Sequence, residues 1–166
     1  MTAPIQARDG ASLDLSVFWK AMQVRLATPS TLRLLNGGRI YRGTEDYSRE
    51  ERTDSAPWGR EVILPTDTLW PPVVTDSDRR GFGWLVRSEM RVPTGVDYDA
   101  AATLARLQQN VWAGLMGWSP TPAEVGVVLR TPIWPQRPPQ LMPEWDTDRR
   151  LWWVSSEWRA EGSRPV

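Results

Sequence analysis

The stretch Gly81–Val92 constrains the fold more than any other part of the chain. Phe82, Trp84, Val86, Met90 and Val92 fall on one side of an alternating pattern, with Ser88 the exception. Arg87, Glu89 and Arg91 fall on the other. A period of two over this length marks a β-strand with one face on a core, the pattern of an antiparallel sheet with one face solvated. Pro93, Thr94 and Gly95 close it. Its apolar face needs a covering layer, and two segments are fit for that. Leu15, Phe18, Trp19, Met22 and Leu26 recur at helical spacing, with Ser12 as an N-cap. Pro29 stops this helix near Thr28 by disfavouring helical geometry in the residue before it. Ala100, Leu104, Leu107, Val111 and Leu115 form a second stripe, from Asp97 as N-cap to about Met116, with Gly117 past its end. The expected fold class is α+β: a single, mostly antiparallel sheet with two main helices, at about residues 13–27 and 97–116, packed on one face.

The other segments fill in around this frame. Met1–Ala11 reads as a loose arm, and Ser30–Leu35 as a short helical turn ended by Asn36-Gly37-Gly38. Arg39–Arg42 is a short strand and Gly43–Arg60 a polar loop. Glu61–Leu64 is a strand bounded by Pro65. Leu69–Val74 is extended, with Pro71 and Pro72 restricting it to an edge or a loop. Val125, Val127 and Leu129 alternate, so Glu124–Arg130 is expected as a strand, followed by the Pro-rich loop Thr131–Pro143. Arg150–Arg159 is a last strand, apolar on both faces where Leu151 and Trp153 oppose Trp152 and Val154. Ala160–Val166 reads as a polar tail. At 166 residues the whole is expected to be one domain.

Composition removes most chemistries. The chain has no Cys and no His, so disulfides, thiolate sites, Cys nucleophiles and every His-based acid, base or ligand are absent. Neither cofactor nor metal site is expected. Gly81-Phe82-Gly83 lacks the third Gly and the helix of a dinucleotide site, and Gly37-Gly38 has no P-loop Lys after it. Ser119 is not flanked as in a nucleophile elbow. No pair of carboxylates stands out for general acid–base work, so the chain is read as a non-enzyme. With 20 basic and 20 acidic residues, it carries no bulk positive charge to hold nucleic acid. Apolar runs are far short of a membrane span, and Met1–Gly10 lacks the apolar core of a signal peptide. A cytosolic, reducing compartment is compatible with this composition.

Two features invite a site. Asp76-Ser77-Asp78-Arg79-Arg80 and Asp146-Thr147-Asp148-Arg149-Arg150 repeat one pattern, each before an aromatic-rich strand. Asp-x-Asp can offer two oxygens to Mg²⁺ or Ca²⁺, but Asp also favours turns by bonding its own backbone, and turns are the expectation. The second feature is tryptophan, eleven against three Tyr and two Phe. Trp58, Trp70, Trp134 and Trp145 lie in Pro-rich or polar stretches without core periodicity. Each either folds back on the sheet or stays exposed as an interface anchor. These four, with Pro71 and Pro72, are the candidate protein-interface residues.

The run Ala27-Thr28-Pro29-Ser30-Thr31-Leu32-Arg33-Leu34-Leu35-Asn36-Gly37-Gly38-Arg39-Ile40-Tyr41 resembles the opening of the tail terminator, or tail completion, proteins of long-tailed bacteriophages. In that family a helix leads into a leucine-containing turn, a Gly pair and an Arg-Ile-Tyr strand. A polar loop, an extended segment, a long strand, a crossing helix and closing strands follow. The similarity in order and length runs over roughly Leu13–Arg159. The Trp excess and the loop Thr131–Pro143 depart from the pattern. The resemblance implies a virion protein of the tail neck, assembled in the host cytoplasm. It would form a homo-oligomeric, hexameric ring that caps the tail tube protein and stops its polymerisation. It would also dock the head-completion protein, with DNA passing through the lumen without sequence-specific contact and no membrane involved. The alternatives are another neck component, such as a head-completion or connector subunit, and a Trp-rich ligand-binding domain.

Overall fold

A computed structural model describes residues 14–27, 39–43, 56–70, 79–137 and 142–165, with side chains for all of these except 67–70. In chain order the elements are α1 (Ser16–Ala27), β1 (Ile40–Arg42), β2 (Trp58–Trp70), β3 (Arg80–Arg91) and α2 (Ala100–Leu115). They continue with α3 (Pro122–Val125), β4 (Val128–Leu129), β5 (Trp134–Pro135), β6 (Glu144–Asp146) and β7 (Leu151–Ser163). Among the described residues one mixed sheet of seven strands runs β1-β2-β3-β7-β4, with β5 and β6 also paired to β7. β1 is parallel to β2; the other pairings are antiparallel. The α+β class and the mostly antiparallel sheet agree with the sequence reading.

The register explains how the core forms. Phe82, Trp84, Val86, Ser88 and Met90 of β3 oppose Ala160, Trp158, Ser156, Val154 and Trp152 of β7, so these residues share one face. Both main helices cover that face. Phe18 of α1 meets Phe82 at 5.1 Å and Trp84 at 5.4 Å between ring centroids, both edge-on. Leu104 and Leu107 of α2 form a second cluster with Met90 and Val154. Burying a side chain such as Phe18 stabilises by roughly 2–3 kcal/mol. Arg25 Nε donates to the Gly114 carbonyl at 3.0 Å, which ties α1 to the end of α2.

Several expectations need correction. The first helix starts at Ser16, where Asp14 Oδ1 accepts from the Ser16 amide at 2.9 Å; Ser12 lies outside the described residues. Trp58–Arg60, expected in the polar loop Gly43–Arg60, belong to β2; residues 44–55 lie outside the described residues. That strand also passes through Pro65 instead of stopping there. Among the described residues β1 pairs with Glu61–Ile63 alone, so no described neighbour on that side needs the amide that Pro65 lacks. β3 is not half-solvated, since Glu89 on its second face is 1% exposed. Glu124–Arg130 is not one strand: Thr121-Pro122-Ala123-Glu124 starts a helical turn, and Gly126 ends it at φ 70°. Thr131–Pro143 contains β5. The polar tail begins later than Ala160, because β7 continues to Ser163. Ser30–Leu35 falls outside the described residues.

The cap of α2 is Asp99, whose Oδ1 accepts from the Ala102 amide at 2.9 Å, not Asp97. Asp99→Ala is expected to cost about 1 kcal/mol, the usual worth of such a cap, and Asp97→Ala nearly nothing. Urea melts of the two variants decide between the two assignments.

Candidate assembly surfaces

Asp146–Arg150 is a turn that delivers the chain from β6 into β7. Asp146 Oδ1 accepts from the Arg149 amide at 3.0 Å, and Arg150 takes the left-handed conformation at φ 54°. That amide, with the Arg87 and Arg149 guanidiniums behind it, holds the Asp146 carboxyl below the usual carboxylate range. Asp76–Asp78 of the sister segment lie outside the described residues, while Arg79 bonds Glu161 across to β7. Among the described residues no group of three or more acidic side chains is placed to hold a metal ion.

The turn is clamped to the second face of the sheet. Glu89 Oε2 accepts from Arg60 Nε at 2.5 Å, and Oε1 from Arg149 Nη1 at 3.0 Å. Arg87 Nε approaches Oε1 at 3.2 Å as an ion pair, outside hydrogen-bond geometry. Its Nη2 reaches Asp146 Oδ2 at 3.5 Å. The guanidinium of Arg87 lies 4.2 Å from the Trp153 ring centre, and that of Arg60 4.9 Å from Trp58. Thus three cations and two indoles surround one buried carboxylate.

Holding the turn in place presents an aromatic surface on the other face. Trp145 of β6 opposes Trp152 of β7, with ring centroids 5.0 Å apart. Met90, Trp152 and Trp145 form a row across β3, β7 and β6. Met90 is buried under α2, but Trp152 is 37% and Trp145 46% exposed, with Met142 beside them in sequence at 78%. Apolar rings left open this way at a sheet edge are the material of interface anchors.

A second surface lies at the far end of β7. Gly117 (φ 71°) turns the chain out of α2, and Trp118 packs on the core, 6.0 Å from the Phe18 ring. Glu124 Oε2 accepts from the Thr121 amide at 2.6 Å and starts α3. β4 then pairs with Gly162 and Ser163. Gly162 has to be glycine, because a Cβ there would sit 2.4 Å from Val127 Cγ1. Trp118, Ser119, Pro120, Pro122, Leu129 and Pro132 line an open groove of about 410 Å³ between these segments.

The candidate residues therefore separate. Trp58 is buried at 6%, folded back against Arg60, and is no exposed anchor in this subunit. Trp134 is half-buried on β5, paired with Arg159 of β7. Trp70 ends β2, its backbone opposite Gly81, with its side chain outside the described residues. Pro71 and Pro72 also lie outside them. Trp145 is exposed. Trp152 and Trp118 were not singled out from sequence. For Trp152 the signal was present, since a strand apolar on both faces in Leu151–Val154 must expose one of them unless both are covered.

No protein-family model matches the chain, and no curated protein matches it in sequence. Its fold is similar to that of a chain in the virion of a native gene transfer agent (GTA) particle. The alignment covers 87% of this chain and 92% of that one, at a TM-score of 0.55 and 13% identity. A second solved chain aligns over 93% of this chain and 98% of its own length, at 14% identity and a TM-score of 0.44. At such identities the first likeness shows a shared fold. Among the described residues no helix is long and apolar enough to cross a membrane.

Proposed function

We propose that this chain is a structural subunit of a phage-like virion, without catalytic activity, and that it acts as a tail terminator. In this reading copies of the chain form a ring, hexameric by resemblance, on the last ring of the tail tube. The ring stops tube growth, offers a seat to the head-completion protein and lets DNA pass through its lumen. One observation carries the reading: the fold is shared, over nearly the full length of both chains, with a component of a GTA virion. Two further features support it. A ring closes through a head-to-tail contact between two different patches, and the subunit has two separate candidates, an exposed aromatic pair and a groove of mixed polarity. Its formal net charge of zero suits a lumen past which DNA slides without being held.

Deleting the gene in a producing cell tests this. The expected result is tails of irregular, excessive length that do not join heads. Tails of normal length that stay headless, beside heads that leak DNA, would favour a head-completion or connector role. Normal particles would contradict both.

A further inference from the structure

We propose that the Trp145–Trp152 edge of one copy docks into the Trp118 groove of the next, and that this contact is the repeating head-to-tail interface of the ring. The inference rests on the ring reading and adds its geometry.

The aromatic pair sits where β7 begins and the groove where it ends, both on the edge of β7 turned away from β3. Ten residues of strand separate Trp152 from Gly162, roughly 30 Å at about 3.3 Å per residue. One subunit therefore cannot bring its own pair into its own groove, whereas a neighbour can. A contact between unlike patches at opposite ends of an edge propagates from copy to copy, and a rotation that closes it yields a ring.

The two surfaces also match in chemistry. Two indoles and Met142 protrude on one, while the other is a recess walled by Trp118 and prolines. The recess is open on one side and has a volume of about 410 Å³. Charge is complementary at the rims. Beside the aromatic pair, exposed Glu144 and Asp148 outnumber Arg150, because Arg149 is turned inward to Glu89. Beside the groove, Arg25 lies 6.0 Å from the Trp118 ring centre, and Arg130 is exposed on the lining. Glu124 there offsets one of these two cations and leaves the rim net basic. An acidic rim around the rings and a basic rim around the groove steer unlike ends of two copies together and keep like ends apart.

The chain contains no Cys, so a pair of cysteines reports this contact cleanly. Met142→Cys and Ser119→Cys are both exposed positions, one on each surface. The double variant is treated with a short bis-maleimide, as purified protein and within assembled particles, and run on a denaturing gel. The expected result is a ladder of covalent multimers ending at the subunit number of the ring. Each single-cysteine variant should give no ladder. Adding Trp145→Ala and Trp152→Ala should cut the yield at least tenfold. Rings visible by electron microscopy but no ladder would overturn the inference and leave the ring reading standing. So would Trp variants that close rings normally yet fail to attach to the tail tube, since the occupant of the groove would then be another virion protein. Absence of rings both in solution and in particles would overturn the inference and the ring reading together.

Discussion

Glu89→Ala is expected to destabilise the subunit by about 3–5 kcal/mol, the cost of removing one partner from a buried ion pair. Arg60 is wholly buried against this carboxylate, and Arg87 and Arg149 converge on it from the same face. Without Glu89, three guanidiniums lose the buried carboxylate on which they converge. A domain of this size has roughly 5–15 kcal/mol in hand, so the variant should unfold about 6–20 °C below the parent chain. Arg149→Ala should cost far less, since that side chain is 26% exposed and water replaces its contact. Thermal melts by circular dichroism measure both. A Glu89→Ala midpoint within a degree of the parent would mean that the cluster is not buried in solution.

The second large effect is a gain. Glu61 on β2 points to the helix face, where Ser88 Oγ donates to its Oε2 at 2.7 Å and Gln108 Nε2 donates to Ser88 Oγ at 2.8 Å. Burial raises its carboxyl from 4.5 to about 8, against the lowering effect of the Ser88 hydrogen bond and with a small addition from Glu89. The acid is therefore protonated at neutral pH. Glu61 Oε1 and Gln108 Oε1 both lack a donor among the described residues, and a proton on the first supplies one to this group of acceptors. Below pH 4.5 the folded and unfolded chains both hold the proton. Between pH 4.5 and about 8 only the folded chain holds it, so stability falls as pH rises, and the loss levels off above about 8. At about 1.4 kcal/mol per unit, the loss at pH 7 is about 3 kcal/mol. Glu61→Gln keeps the shape and cannot ionise. It should match the parent at pH 4 and exceed it by about 3 kcal/mol at pH 7. Parallel stability curves from pH 4 to 8.5 would contradict the assignment.

These two carboxylates also show where sequence reasoning runs out. β3 and α2 were legible because their burial follows one period, two for the strand and 3.6 for the helix, in residues of a single type. The start of β2 was not. Trp58-Gly59-Arg60 looks like the end of a polar loop, because the groups that receive this start of the strand come from distant chain: Glu89 for Arg60, and Ser88 for the adjoining Glu61. Val125, Val127 and Leu129 alternate as in a strand, yet the start at Thr121-Pro122 and the stop at Gly126 impose a helical turn first. β5 and β6 are two and three residues long and have no pattern of their own; they pair because β7 offers them an edge. Of the loop tryptophans, sequence could say that each either folds back or protrudes. Trp58 folds back because Arg60 gives its ring a cation to lie against, and Trp145 stays exposed beside Trp152.

The central claim is a place in the virion, and cryo-electron microscopy of tails purified from producing cells tests it most directly. The account predicts density for one ring of this chain at the head-proximal end of the tail tube, its copies related by rotation about the tube axis. Purified tails of normal length that contain no copy of the chain would contradict it.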